Sequence, residues 1–450
     1  MNTASFPVSS GSATAPTATA PAATRLRAPR ADRAAGVSKR VVAATVAGNA
    51  LEFYDFVTYA FFAVYIGKTF FPAATPLGSL LMSVAVFGVG FVSRPLGGIL
   101  IGAFADRAGR KPAMLLTIGL ITVGTLGLAL TPSYESIGLA APVIVVLCRL
   151  VQGLALGGEV GPSSAFLIES APSQQRGLYA SWQLASQGIA TLVAGAFGIL
   201  MISLLTPAEL QAWGWRVPFA VGLLLLPLAF YLRRSMPETL HAAPAHAGNV
   251  GMKGLAKQRR IISLAILVVL GGTVSNYVGN YMTTYAIATL KFPPLIAMGA
   301  TVMVGIATLV FSLLGGWLCD RYGRKPVMLV PRIATAVLTV PAFGLLIAHP
   351  TQGVLLAVTT FLAGLTAISG AASLVAIPEL LPRGIRATGL SIAYAVGVAL
   401  FGGTTQFIVT WLVGATGNPA APAGEVAGTS GITAIARMAL PESRDRALED

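Results

Sequence analysis

From Val41 onward the chain alternates long apolar stretches with short polar breaks. The apolar runs fall at about 41–66, 79–104, 113–131, 141–168, 178–205, 213–232, 261–287, 295–318, 326–348, 354–377, 387–413 and 420–440. Each approaches or exceeds the roughly 20 residues an α-helix needs to cross the hydrocarbon of a bilayer. The pattern therefore predicts an all-α membrane protein with twelve transmembrane helices. The polar stretch 233–260, with Pro237, Pro244 and Gly248, divides them six and six. The expected organisation is a disordered cytoplasmic tail (1–40), a six-helix bundle (41–232), a cytoplasmic linker (233–260), a second six-helix bundle (261–440) and a short cytoplasmic tail (441–450). The tail before Val41 is rich in Ala, Thr, Ser and Pro and too poor in large apolar residues to build a core. The run 420–440 is the poorest span, with Glu425, Arg437 and few large apolar side chains.

Composition sharpens this picture. Of 450 residues 55% are hydrophobic and 10% charged, with a mean hydropathy of +0.77, whereas soluble domains carry about 25% charged residues. The 30 Lys and Arg against 16 Asp and Glu give a net charge of +14. Most of the basic residues lie in the tails and after the even-numbered spans, leaving Lys68, Arg216 and Lys291 for the opposite side. That is the positive-inside bias of a membrane protein with both termini in the cytoplasm, so no nucleic-acid partner is expected. Cys148 and Cys319 lie inside apolar runs, and His241, His246 and His349 in predicted loops without a metal or hydrolase motif around them. No cofactor, no metal and no enzymatic chemistry are expected.

An internal repeat points to duplication. Gly102, Asp106, Arg107, Gly109, Arg110 and Lys111 follow span 2, and Gly316, Asp320, Arg321, Gly323, Arg324 and Lys325 follow span 8 with the same spacing. Glu169, Pro172 and Arg176 recur as Glu379, Pro382 and Arg386, and Pro237 and Glu238 as Pro441 and Glu442. Two related six-helix halves follow.

The doubled Gly-x-x-x-Asp-Arg-x-Gly-Arg-Lys loop resembles the signature of the major facilitator superfamily, and Arg149, Gln152 and Gly153 resemble its fourth-helix motif. The run Gly48 to Asp55, Arg94 with Pro95, Gly157 to Glu159 and Trp215 to Phe219 resemble the metabolite:proton symporter family within it. Residues Gly158 to Gly188 are more similar to citrate and other tricarboxylate symporters than to the betaine, shikimate or ketoglutarate branches. The resemblance implies the major facilitator fold, with two pseudo-symmetric halves working by alternating access.

Candidate chemistry follows from polar groups inside spans. An ionised side chain at mid-membrane costs at least about 2.5–3.5 kcal/mol, so such residues face a cavity and have a partner. Span 1 places Asn49, Glu52, Asp55 and Tyr59 on one helical stripe. At about 1.5 Å per residue, Asp55, Arg94 and Arg149 all come to roughly 20 Å from the cytoplasmic end, a level at which they can meet. The alternative is a fixed salt bridge that only glues helices together. The resemblance to sugar porters, with their acid on helix 1 and arginine on helix 4, implies a proton-coupling pair of Asp55 and Arg149, with Glu52 and Glu159 as further candidates. Arg94 and Arg216 are then candidate carboxylate clamps, because a planar guanidinium binds carboxylates through two parallel hydrogen bonds. Arg216 also reads as an interfacial anchor. Tyr54, Asn49, Gln183, Gln187, Tyr277 and Asn280 complete the expected substrate site, the competing role being interhelical hydrogen bonding.

At the cytoplasmic loops, Asp106 and Asp320 sit where a carboxylate caps a helix or accepts from arginine. A gate is expected from Asp106, Arg110, Glu169, Arg176, Asp320, Arg324, Glu379 and Arg386, with Arg176 and Arg386 as partners across the face. The resulting expectation is a monomeric transporter of the bacterial inner membrane that imports a small carboxylate such as citrate with protons. Its rivals are a proton symporter for another organic acid or osmolyte (ketoglutarate, shikimate, betaine) and a non-transporting membrane sensor.

Overall fold

The computed structural model describes residues 1–5, 39–108, 110–157, 164, 167, 168, 171, 172, 174–234 and 257–444. Residues 1–35 and 36–450 form separate units; in the first, residues 1–5 carry no helix or strand. Most of the expected tail 1–40, residues 235–256 of the expected linker and residues 445–450 lie outside the described residues.

The second unit is helical. Its first half contains α1 (Lys39–Phe61), α2 (Ala63–Phe70), α3 (Pro76–Val92), α4 (Arg94–Ala108), α5 (Arg110–Leu130), α6 (Tyr134–Ile137), α7 (Ala140–Gly157), α8 (Arg176–Leu204), α9 (Pro207–Ala212) and α10 (Val217–Arg234). The second half contains α11 (Arg259–Ala288), α12 (Pro294–Tyr322), α13 (Arg324–Ala348), α14 (Gln352–Glu379), α15 (Arg383–Thr416) and α16 (Ala421–Met438). Among the described residues the expected spans appear in order, spans 1 and 2 each as two helical pieces and span 4 as far as Gly157, most of 158–168 lying outside the described residues. Local chemistry sets the ends. Thr75 caps α3 by accepting from Gly78 N at 3.1 Å, with Pro76 as its first residue. Thr206 and Glu209 form a capping box on α9. The break between α3 and α4 falls at Ser93, whose hydroxyl donates to Gly90 O (3.1 Å) and to Leu150 O on α7 (2.8 Å). Such back-bonding bends a helix, and here it sets Arg94 at the start of the next piece.

Eight helices among the described residues are long and apolar enough to cross a membrane by themselves. The twelfth expected span is not one of them, and α16 shows why. Its polar residues point inward, with Ser430, Thr433 and Arg437 buried, while Ile432, Ile435 and Met438 are exposed. Polar groups thus share the inner face with Val426, Ala434 and Ala436, while the large apolar side chains face outward.

The halves meet along α8 against α12 and α3 against α15. Glycines permit the approach. A Cβ on Gly177 would lie 2.5 Å from Gly316 O, and one on Gly316 would lie 2.6 Å from Gly177 O, so any side chain would push these helices apart. At the other end Thr284 Oγ1 donates to Ala60 O at 3.3 Å. An aromatic cluster crosses the middle: Phe56 and Phe87 have ring centroids 4.6 Å apart, and Phe91 lies 5.2 Å from Tyr277 of the other half.

Candidate functional site

Asp55 and Arg149 are neighbours without being a direct ion pair. Arg149 Nη1 donates to Gln152 Oε1 at 2.8 Å, and Gln152 Nε2 donates to Asp55 Oδ2 at 2.6 Å and to Thr125 Oγ1 at 3.1 Å. Gln152 lies three residues beyond Arg149 on α7, the spacing that brings both side chains onto one helical face. Asp55 Oδ1 and the Nε and Nη2 atoms of Arg149 have no hydrogen-bond partner among the described residues. All three side chains are buried. An acid and an arginine are thus held one rotatable amide apart, each with bonding capacity in reserve.

Aromatic faces also surround the guanidinium groups. Arg149 lies 4.0 Å from the Tyr59 ring centroid and 5.3 Å from that of Phe87. Arg94 lies 4.0 Å from the Phe91 centroid and 4.6 Å from that of Phe56. Cation–π contact offsets part of the cost of burying these groups. Arg94 Nε and Nη2 have no hydrogen-bond partner among the described residues, and the side chain lies against the Tyr277 hydroxyl.

A cavity of about 100 Å³ opens between the halves beside this cluster. Phe53, Gln183 and Gln187 line it from the first half, and Asn276, Tyr277 and Tyr394 from the second. Gln187 faces Tyr394. Asn280 borders a smaller adjoining space with Gln187 and Tyr277. Gln183 Nε2 donates to Asn49 Oδ1 at 3.1 Å while its own Oε1 has no partner among the described residues. Asn49 Nδ2 donates to Ser186 Oγ at 2.6 Å, so Asn49 ties α1 to α8 behind the cavity wall.

Two other expected binding residues point elsewhere. Tyr54 OH donates to Pro218 O on α10 at 2.9 Å. Arg216 Nη1 donates to Ala212 O and Nη2 to Thr131 O, both at 2.9 Å, with its guanidinium 4.4 Å from the Trp215 centroid. Neither lines the cavity. Their partners are backbone carbonyls at helix and loop ends, a placement that spacing along the chain does not reveal. Glu159 and Glu169 lie outside the described residues, as do the side chains of Glu52, Asp106, Arg110 and Arg386. No group of three His, Cys, Asp or Glu side chains is placed to hold a metal among the described residues.

The repeated loop forms an interlock between halves. Asp320 accepts from Gly177 N at 2.8 Å and Leu178 N at 2.9 Å, using the N-terminus of α8 as its partner. The sequence suggested that Arg176 would meet this acid, but its Nη1 lies 3.9 Å from Glu379 Oε1 instead. Glu379 accepts from Arg324 at both oxygens, Nη2 to Oε1 at 2.9 Å and Nε to Oε2 at 3.0 Å, and from Ser443 Oγ at 2.8 Å. Glu442, legible beforehand only as part of a repeat, caps α13 by accepting from Arg324 N at 2.9 Å and Lys325 N at 2.8 Å. Gly323 makes room for it, with φ of +100° and Glu442 packed against its α-carbon.

The family model described as sugar (and other) transporter matches residues 41–242 and 245–449. The chain is 35% identical over 394 residues to a citrate-proton symporter of Klebsiella pneumoniae, covering 86% of this chain and 88% of that protein. It is 34% identical over 367 residues to an alpha-ketoglutarate permease of Escherichia coli strain K12, covering 80% and 84%. The fold matches the partially occluded inward-open xylose transporter of E. coli with a TM-score of 0.70, at 16% identity over 91% of this chain and 99% of that one.

Proposed function

The chain belongs to the sugar (and other) transporter family of the major facilitator superfamily and is a multi-pass membrane protein, and from that premise we propose that it imports a small carboxylate, a tricarboxylate such as citrate, together with protons. The observation that carries this reading is the Asp55–Gln152–Arg149 relay beside Arg94. Arg94, behind the cavity-lining Tyr277, presents donor atoms without partners among the described residues, and a guanidinium fork suits a carboxylate. Asp55 carries the coupled proton, and Gln152 transmits to it whether Arg149 is engaged. Gln183, Gln187, Tyr277 and Asn280 orient the substrate.

Energetics require cotransport. Moving one negative charge inward against an inside-negative potential costs about 2.3 kcal/mol per 100 mV, so a polyanion must enter with compensating cations. The protein works as a monomer in the bacterial inner membrane with both termini in the cytoplasm, a six-helix bundle over 41–232 rocking against one over 261–440. Asp320, Arg176, Arg324 and Glu379 then form the cytoplasmic gate, which closes when Asp320 holds the start of α8.

A second reading, a proton symporter for a zwitterionic osmolyte, draws support from the aromatic side chains Phe53, Tyr277 and Tyr394 on the cavity wall, which suit a quaternary ammonium group. Uptake into proteoliposomes of labelled citrate, tricarballylate, ketoglutarate, shikimate and betaine, with and without an imposed pH gradient, separates the two. Gradient-driven accumulation of betaine in preference to every carboxylate would overturn the first.

A further inference from the structure

The second half buries two arginines for which the relay has no use. Arg437 on α16 and Arg332 on α13 are each almost fully buried. Arg437 Nη1 donates to Met328 O and Ser369 Oγ, and Nη2 to Ser373 Oγ at 2.7 Å. Arg332 Nη1 donates to Gly271 O and Ser275 Oγ, both at 2.9 Å. Arg437 Nε and the Nε and Nη2 atoms of Arg332 have no partner among the described residues. No carboxylate among the described residues lies within 4.0 Å of either guanidinium. Among the described residues the charged group beside Arg437 is Arg332, of the same sign.

Such a pair is costly, and burial this complete excludes the ordinary remedy of extending a long side chain to the membrane surface. Arg437 lies one residue from the end of α16, yet it turns inward and lines the cavity, with Ser275 and Ser373 as neighbours on the same wall. Arg437 of the second half thus lines the cavity directly, while Arg94 of the first half does not line it and lies behind the lining residue Tyr277.

We propose that Arg437, backed by Arg332, is a second carboxylate subsite of the cavity, so that the bound substrate needs at least two carboxylates, one for each half of the protein. This deepens the transport reading above and rests on it. The Ser275 and Ser373 hydroxyls, on the cavity wall, accept from Arg332 and Arg437 and donate to Gly271 O at 2.7 Å and Ser369 O at 2.8 Å; a bound carboxylate can compete for these hydroxyl protons. A dicarboxylate or tricarboxylate bridging Arg94 and Arg437 supplies a counter-charge to Arg437 and draws the halves together. A monocarboxylate or a zwitterion leaves the α16 pole unpaired.

The test uses the full chain in proteoliposomes with an imposed pH gradient, measuring citrate uptake and its competition by tricarballylate, glutarate and butyrate. Wild type should prefer the first two competitors strongly over butyrate. Arg437→Gln should raise the KM for citrate by roughly 30-fold or more, as loss of one partner from a buried charge pair does. It should also shrink the tricarballylate-to-butyrate preference to within a few-fold, and Arg437→Lys should restore part of both. If Arg437 only braces helices, Arg437→Gln lowers thermal stability and maximal rate for all substrates alike with the preference unchanged, which overturns the proposal. Should Arg437→Gln fail to fold, wild type still decides: butyrate that competes or stabilises against heat as well as glutarate overturns it too. Wild type that accumulates no carboxylate at all overturns the transport reading and this subsite together, whereas intact citrate uptake with an unchanged preference in Arg437→Gln removes the subsite alone.

Discussion

The carboxylate of Asp320 reaches across the molecule to Gly177, accepting its backbone N–H at 2.8 Å at the start of a helix that belongs to the other half. A second bond to Leu178 N at 2.9 Å makes the contact two-pronged, and the positive end of α8 reinforces it. The contact exists only while the halves are together on this face, so its free energy biases one conformation over the other.

Asp320→Asn keeps the shape, removes the charge and substitutes an amide donor at one position. It should weaken the closed form of this face by about 2 kcal/mol, a roughly 30-fold change in the ratio of conformers. Labelling of single cysteines placed on either side of the cavity, in a background with Cys148 and Cys319 replaced, measures that ratio. Wild-type labelling with wild-type transport would show that the interlock does not gate.

Glu442 lies outside the spanning helices and gives a pH-dependent prediction. Burial pushes its carboxyl upward, but the backbone N–H groups of Lys325, Arg324, Arg444 and Ser443 outweigh that and hold it below the ordinary value of 4.5. A group depressed in the folded state stabilises above its unfolded value and loses that contribution as pH falls through the folded one. Glu442→Gln should therefore cost about 0.5–1 kcal/mol near neutral pH, the low end for a cap because the site is partly solvated. Melting temperatures of mutant and wild type should converge as pH falls below 4.5. A constant difference across that range would remove the charge from the explanation.

Arg94→Ala should weaken carboxylate binding by at least tenfold, and Arg94→Lys should rescue only part, because an ammonium keeps the charge and loses the planar fork. The lysine also sits less well against Phe91 and Phe56. Citrate binding by calorimetry on folded, inserted protein checks this. Near-normal binding by Arg94→Ala would transfer the clamp to Arg149.

Periodicity and charge placement carried most of the fold, since apolar runs of spanning length admit few structures in a bilayer. Even the weak run 420–440 proved helical as Ala421–Met438. The inward turn of its polar groups was invisible because hydropathy averages over the helix and discards direction. The same loss explains Tyr54 and Arg216, polar residues in the right spans whose partners are carbonyls of distant elements. Depth counting set Asp55, Arg94 and Arg149 at one level, and the structure has Phe56 within reach of both arginines. What counting could not supply was Gln152 between acid and base, although it stood in the fourth-helix motif. Glu379 was legible as a repeated acid, but its convergence with Arg324 and Ser443 needed three separate segments brought together in space.

Gln152→Leu should separate the relay from the binding site. It removes the bridge from Arg149 to Asp55 while leaving Arg94 and the cavity wall in place. Uptake driven by a pH gradient should fall by about tenfold or more, with citrate affinity changed by only a few-fold. Equal loss of affinity and uptake would make Gln152 a part of the substrate site instead.

Replacement of Asp55 by Asn, which mimics a permanently protonated side chain, bears most directly on proton coupling. Purified Asp55→Asn protein in proteoliposomes is compared for citrate accumulation under an imposed pH gradient and for exchange of internal for external citrate. Exchange needs no net proton movement, so it should persist while accumulation is abolished. A fixed helix-bracing role for Asp55 gives another outcome, the loss of both modes together. Accumulation at the wild-type level by well-inserted Asp55→Asn protein would contradict proton carriage by Asp55 and move it to Glu52 or Glu159.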